Sequence, residues 1–231
     1  MCGIRRKKLR SGRRIAVKSF LIIGMGTFGH HLCRCLAEQG CEIMIVDQDE
    51  DCVSDLLHLP VSAKIGDCTD IEVLKSFGVQ SFDACFVCIG DSFQDSLEIT
   101  DLLRELGAKK IFSKADRDIQ EKFLLRNGAD EVIYPERDVA RRVAVSESSD
   151  SIFDCIGLSG EYSIFELSAQ ERWLGKTIRE VNFRARYGMS ILAVKRDGAV
   201  KPLPSGDYAF NAEEHLLVLG RLEDVKKAVH D

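Results

Sequence analysis

Apolar residues along this chain fall into short unbroken runs, separated by longer stretches in which they recur every three or four positions. Runs at 20–23, 42–46, 61–65, 84–89, 110–113 and 131–134 predict strands. The stretches between them predict helices over 30–39, 49–59, 71–77, 94–106 and 119–127. Thr69 or Asp70 is placed to cap the third helix, and Gly107 and Gly128 close the last two. Strands alternating with helices imply an α/β fold with a doubly wound parallel sheet of six strands and right-handed crossovers.

Pro135 changes the register. Proline suits the first position of a helix, and a helix is predicted over 136–146. A polar stretch, Ser146 to Ser151, then reads as a linker. Beyond it the pattern breaks into short strands at 156–159, 162–167, 189–194 and 215–219, with two short helices near 176–181 and 222–229. We read four segments: a basic arm at 1–18, a first domain at 19–135, a crossover helix and linker at 136–151, and a small α+β domain at 152–231.

Charge sharpens that division. Residues 1–18 hold eight basic residues and no acid, whereas the rest holds 24 basic and 37 acidic residues, a net of −13. Such an arm can meet anionic lipid, nucleic acid or an acidic protein surface, or simply keep the chain soluble. A basic start followed by apolar residues also resembles a signal peptide. Lys18 interrupts the would-be apolar region, however, and the run after it is the first strand itself, so a signal peptide is rejected. No apolar run approaches the ~18 residues needed to span a bilayer. There are nine cysteines, but only Cys85 and Cys88 form a C-x-x-C, and in a strand such a pair points to opposite faces. Free thiols in a reducing cytoplasm are the expectation.

The chemistry lies between the first two strands. Gly24, Gly26 and Gly29 form a G-x-G-x-x-G that leaves one strand and opens a helix, and the next strand ends on Asp47. Gly24 permits the tight turn, Gly26 lets backbone approach a phosphate, and Gly29 lets the helix pack against the strand. The helix N-terminus offers N–H groups and the positive end of its dipole to phosphate, and Asp47 can accept hydrogen bonds from two ribose hydroxyls. The first domain is therefore expected to be Rossmann-like and to bind a nucleotide. Residues for catalysis are poor. His30 and His31 stand at the start of the first helix, His58 ends a surface-like helix, and His215 and His230 lie in the small domain. Asp116, Asp118 and Glu121 read as a solvated helix face rather than a metal site.

Further strings carry a family resemblance: Gly66-Asp-Cys-Thr69, Gly128-Ala-Asp130, Pro135-Glu136, Glu161 to Glu166, Asn182 to Gly188 and Ile191 to Val194. With the glycine motif and the domain order, residues 19–231 resemble the regulator-of-potassium-conductance (RCK or TrkA-type) proteins, and soluble KtrA-like subunits in particular. The resemblance implies a non-enzymatic, cytoplasmic regulatory subunit at the inner face of the membrane. It would be built from dimers into an octameric ring that gates a separate KtrB- or TrkH-like potassium transporter subunit, with no nucleic-acid partner. It also implies ATP, ADP or NAD(H) in the Rossmann cleft. Gly24, Gly26, Thr27, Phe28 and Gly29 would form the phosphate loop, and Asp47 would hold the ribose. Asp67 and Cys68 would flank the adenine, with Ile89 and Gly90 beneath ribose and phosphates and Lys114 near the phosphates. Glu136 would act near the terminal phosphate and a divalent cation such as magnesium. Many relatives carry Arg where this chain has Thr27, which cannot supply charge to a phosphate. In some relatives cyclic di-AMP binds the C-terminal domain, at positions matching Ile178, Asn182, Arg184, Ala185 and Pro204. The alternatives are an NAD-dependent Rossmann oxidoreductase and a ring serving another cation transporter.

Overall fold

The computed structural model describes residues 17–230, so the basic arm, apart from its last two residues, lies outside the described residues. The chain divides into two compact units between Pro135 and Glu136.

In the first unit six strands form one parallel sheet: β1 (Ser19–Ile23), β2 (Glu42–Asp47), β3 (Val61–Ile65), β4 (Ala84–Val87), β5 (Ile111–Lys114) and β6 (Glu131–Ile133). Their order is β3-β2-β1-β4-β5-β6. The helices α1 (Thr27–Glu38), α2 (Asp51–Ser54), α3 (Ile71–Phe77), α4 (Phe93–Glu105) and α5 (Asp118–Arg126) make the connections. Strand order reverses between β1 and β4, so a crevice opens beyond their carboxyl ends, where doubly wound sheets bind ligands. The central strands are buried on both faces. Leu21, Ile23, Cys85 and Val87 pack with Leu74, Ile99 and Leu103, while Ile22, Ala84, Phe86 and Cys88 pack with Cys33 and Leu56. Cys85 and Cys88 thus belong to opposite cores, as strand geometry requires.

In this unit three elements differ from the sequence reading by two residues or more at an end. Helix α1 begins at Thr27, because the glycine turn leads straight into it. Helix α2 ends at Ser54 and the chain turns through residues 55–60, where Pro60 disfavours helical backbone at Leu59. Strand β4 ends at Val87: the Cys88 N–H still bonds the Ile23 carbonyl at 2.7 Å before the chain leaves the sheet. The cap of α3 is Asp70, whose carboxylate accepts the Glu72 N–H at 2.9 Å.

Helix α6 (Pro135–Ser146) leads into the second unit, which holds β7 (Ile152–Ser159), β8 (Tyr162–Ser168), α7 (Ile178–Val181), α8 (Phe183–Tyr187), β9 (Ser190–Arg196), β10 (Ala199–Pro202), β11 (His215–Arg221) and α9 (Leu222–His230). Its antiparallel sheet runs β10-β9-β11-β8-β7. Trp173 anchors the core, edge-on to Phe183 and Tyr187 at centroid distances of 5.0 and 5.4 Å, and the Trp173 indole N–H donates to the Tyr187 hydroxyl. Strand β7 starts four residues before the predicted position. Asp154 hides its beginning: the strand shifts register there, and Arg142 holds that carboxylate through two hydrogen bonds of 2.6 Å. Strand β10 and helix α8 were not anticipated either. Strand β10 is exposed along its whole length and carries no alternating pattern, and α8 has only five residues. Three valines of α6, Val139, Val143 and Val145, differ in their surroundings. Val145 is buried in the second unit's own core, whereas Val139 and Val143 are exposed at 60% and 52%. Among the described residues no helix is long and apolar enough to cross a membrane.

Candidate functional site

Three glycines shape the turn between β1 and α1, and each meets different surroundings. Gly24 has φ +88°, a left-handed conformation that a side chain strains, and a Cβ there would lie 2.9 Å from Ile89. Its N–H donates to the Val46 carbonyl at 2.9 Å, tying the turn to β2. Gly29 lies inside α1, and a Cβ on it would stand 2.1 Å from the Gly24 carbonyl oxygen. Only glycine lets this helix seat against the turn. A Cβ on Gly26 would meet nothing within 4 Å, so the surface there is open to a ligand.

Helix α1 also lacks what its neighbours have. Asp70 caps α3 and Ser92 caps α4, but α1 has no side-chain cap and no acid in its first turn. Its first internal hydrogen bond runs from His30 N–H to Gly26 carbonyl. The earlier N–H groups, from Thr27 to Gly29, are left to an external acceptor by helix geometry. Thr27 is exposed on this first turn, and Phe28 packs partly into the core beneath it.

Asp47 stands at the end of β2. Its Oδ2 accepts the Met25 N–H at 2.6 Å and its Oδ1 accepts the Asp49 N–H at 3.0 Å. Two backbone donors thereby aim a carboxylate across the turn, while each oxygen keeps a further lone pair. Beyond β3, the Asp67 carboxylate accepts both the hydroxyl and the N–H of Thr69, at 2.6 and 2.9 Å; those bonds hold its pKa below the usual range. Cys68 is buried beside these acids. Burial, with Asp67 and Asp47 adding to it, pushes its thiol up to about 12, so it is an uncharged wall of the crevice. On the other side, Ile89 and Gly90 follow β4. A Cβ on Gly90 would lie 3.3 Å from Lys114 Nζ and 3.4 Å from Asp116 Oδ2. Lys114 is therefore at the site, but it forms an ion pair with Asp116 at 2.7 Å.

Gly24, Gly26, Thr27, Phe28, Gly29, Asp47, Asp67, Cys68, Ile89, Gly90 and Lys114 thus gather at the carboxyl ends of β1 to β5 in the first unit. Glu136 is the second residue of α6 and belongs to the second unit. Sequence reasoning left out the cleft beside the turn, about 480 Å³, lined by Met25, Gly26, Thr27, His30, His31 and Arg34. The signal was present: 27, 30, 31 and 34 share one helical face.

In the second unit, Ile178 packs partly against the core and Asn182 joins α7 to α8 with φ +51°. Arg184 and Ala185 are exposed on α8. Backbone bonds from Ile178 to Tyr208 and from Arg179 to Gly206 tie α7 to the segment after Pro204. Among the described residues no group of three metal-ligating side chains occurs.

Fold and site define a two-domain protein with a Rossmann-like first unit and a small antiparallel second unit. The chain belongs to the TrkA family: residues 20–135 match the TrkA-N domain and residues 162–230 the TrkA-C domain. It is similar to the Ktr system potassium uptake protein C of Bacillus subtilis (strain 168), with 40% identity over 91% of this chain and 95% of that protein. Ktr system potassium uptake protein A of the same organism is 36% identical over 93% of this chain and 96% of that protein. Among solved structures, the GsuK channel bound to NAD shares the fold, with a TM-score of 0.68 and 20% identity over 96% of this chain. The chain spans 41% of that channel's length.

Proposed function

We propose that the protein is a nucleotide-sensing regulatory subunit of a potassium uptake system. It would sit on the cytoplasmic side of the membrane, carry no catalytic activity of its own and gate a separate transporter subunit. The observation that carries this reading is the phosphate loop. An uncapped α1 N-terminus opens over Gly26, with Asp47 aimed across it by two backbone donors. Kinship with the Ktr potassium uptake proteins supports the transport role, and the NAD carried by the GsuK channel, which shares this fold, supports a nucleotide ligand.

In this reading ADP, ATP or NAD(H) lies over the turn with its ribose on Asp47 and its adenine between Asp67 and Cys68. Glu136 is the proposed ligand of a divalent cation, and cyclic di-AMP is taken by Ile178, Asn182, Arg184, Ala185 and Pro204. The ligand acts by binding two arrangements of a homo-oligomeric ring with different affinity, since equal affinity shifts nothing. Exposed Val139 and Val143 on α6 support assembly with further copies.

The test is mass spectrometry of nucleotides retained by the purified protein. It is followed by potassium flux into vesicles holding the membrane subunit, with and without that nucleotide. Nucleotide-dependent flux is expected. Turnover of NADH with candidate substrates, or a stable monomer across micromolar concentrations in light scattering, would overturn the reading.

A further inference from the structure

A ligand whose phosphate sits over Gly26 can extend in two directions, and the two differ in charge. Toward Gly90 it meets Lys114, whose ammonium is paired with the Asp116 carboxylate at 2.7 Å. Along α1 it enters the cleft lined by Met25, Gly26, Thr27, His30, His31 and Arg34. No acid lines that cleft. Gly26 borders both the turn and the cleft, and its empty surroundings leave the passage between them open.

The cleft's side chains are suited to phosphate. Thr27, His31 and Arg34 stand one helical turn apart along one face of α1, and helical side chains lean toward the N-terminus. The long Arg34 side chain therefore covers the turn that carries His30 and His31, toward the phosphate loop. Asp55 faces the same face from outside the cleft. It lies 3.1 Å from His30 Nε2, which also bonds the Cys52 carbonyl at 3.0 Å. Asp55 approaches Arg34 Nη2 only to 3.8 Å, beyond hydrogen-bond distance. Arg34 is thus ion-paired with Asp55 but makes no hydrogen bond to it, and its half-exposed guanidinium can turn its donor fork to another oxyanion.

We infer that Arg34, with His31 and the Thr27 hydroxyl, holds the outer phosphates of a nucleoside di- or triphosphate, so that the site selects a polyphosphate tail over a second nucleoside. This rests on the nucleotide reading of the turn and assigns its specificity. In this assignment AMP has no outer phosphate to offer the cleft, and NAD carries a second nucleoside where a di- or triphosphate carries its charged end. Neither should depend on Arg34.

The experiment is calorimetry with AMP, ADP, ATP and NAD on the full chain and on Arg34→Gln and His31→Gln, with thermal melts as a fold control. Arg34 is half-exposed, so the variant should melt with the wild type. ADP and ATP affinity should fall about tenfold or more in Arg34→Gln and less in His31→Gln, while AMP and NAD stay within about twofold, because one charge-assisted phosphate contact is lost. Unchanged ADP and ATP affinity in Arg34→Gln, or an equal loss for AMP and NAD, overturns the assignment of Arg34 and leaves nucleotide binding intact. Wild-type protein that binds none of the four overturns the nucleotide reading itself.

Discussion

Replacing Gly29 by alanine puts a Cβ 2.1 Å from the Gly24 carbonyl oxygen, about 1 Å inside the closest approach that real side chains make. Neither partner can yield easily. Gly24 is pinned to β2 through Val46 at 2.9 Å, and a Cβ on Gly24 would already press on Ile89, so the turn has no room on its far side. Gly29 is locked by the helix around it. The overlap must be relieved by moving α1 off the sheet, which places the cost at or above the ~3 kcal/mol upper end usual for overpacking. In a chain of this size that lowers the melting temperature by roughly 6–12 °C. Gly26→Ala is the control. A Cβ there meets nothing within 4 Å and the backbone has φ −67°, so stability should stay within about 1 kcal/mol of wild type. That Cβ, however, occupies the approach of the phosphate. Calorimetric melts with and without ADP separate the two effects. At a hundredfold excess over Kd, ADP should stabilise wild type by about 2.7 kcal/mol. Gly29→Ala should melt low even without ligand, and Gly26→Ala should melt normally but ignore ADP. If Gly29→Ala melts within about 2 °C of wild type, or Gly26→Ala responds fully to ADP, the roles assigned to these glycines are wrong.

Asp47→Ala should weaken nucleotide binding by ~1.5–3 kcal/mol, and wild type should prefer NAD(H) to NADP(H), because a 2′-phosphate would face the carboxylate; calorimetry reads both. Thr27→Arg should raise the ATP-over-ADP preference, measured as paired isotherms with magnesium; a wild-type preference for ATP already above about 1.4 kcal/mol would mean that other groups hold the terminal phosphate. Burial pushes the Glu166 carboxyl up, but His215, 2.7 Å away, and Lys195, at 2.9 Å from both oxygens, outweigh it and hold it below the usual glutamate range. Its stabilising contribution is thus present above the unfolded glutamate value of ~4.3 and is lost as pH falls through the lower folded value; Glu166→Gln should flatten the acid limb of a stability-versus-pH curve. With its thiol pushed up to about 12, Cys68 should resist iodoacetamide at pH 8 while exposed Cys35 reacts, which peptide mapping of the native protein distinguishes.

Local periodicity and spacing carried much of this protein on their own. Six apolar runs parted by helical patterns specify a parallel sheet, because each signal depends only on neighbours a few residues apart. The three glycines and Asp47 were legible for the same reason, since their spacing follows from the strand-turn-helix path itself. Segments shaped by distant partners were not legible. Near the start of β7 the polar Asp154 breaks the apolar run and is held by Arg142 from α6, and β10 has no pattern of its own and forms because β9 offers a free edge. Nothing in the sequence around Val145 separates it from exposed Val139 and Val143; the second core encloses it. The site divides in the same way. Residue types named the phosphate loop, but only the folded chain shows Lys114 paired with Asp116, Cys68 made inert beside two carboxylates, and a cleft along α1 lined by His31 and Arg34. Charge pairing and burial are sums over groups far apart in sequence, so tertiary structure decided which cations at this site face a ligand.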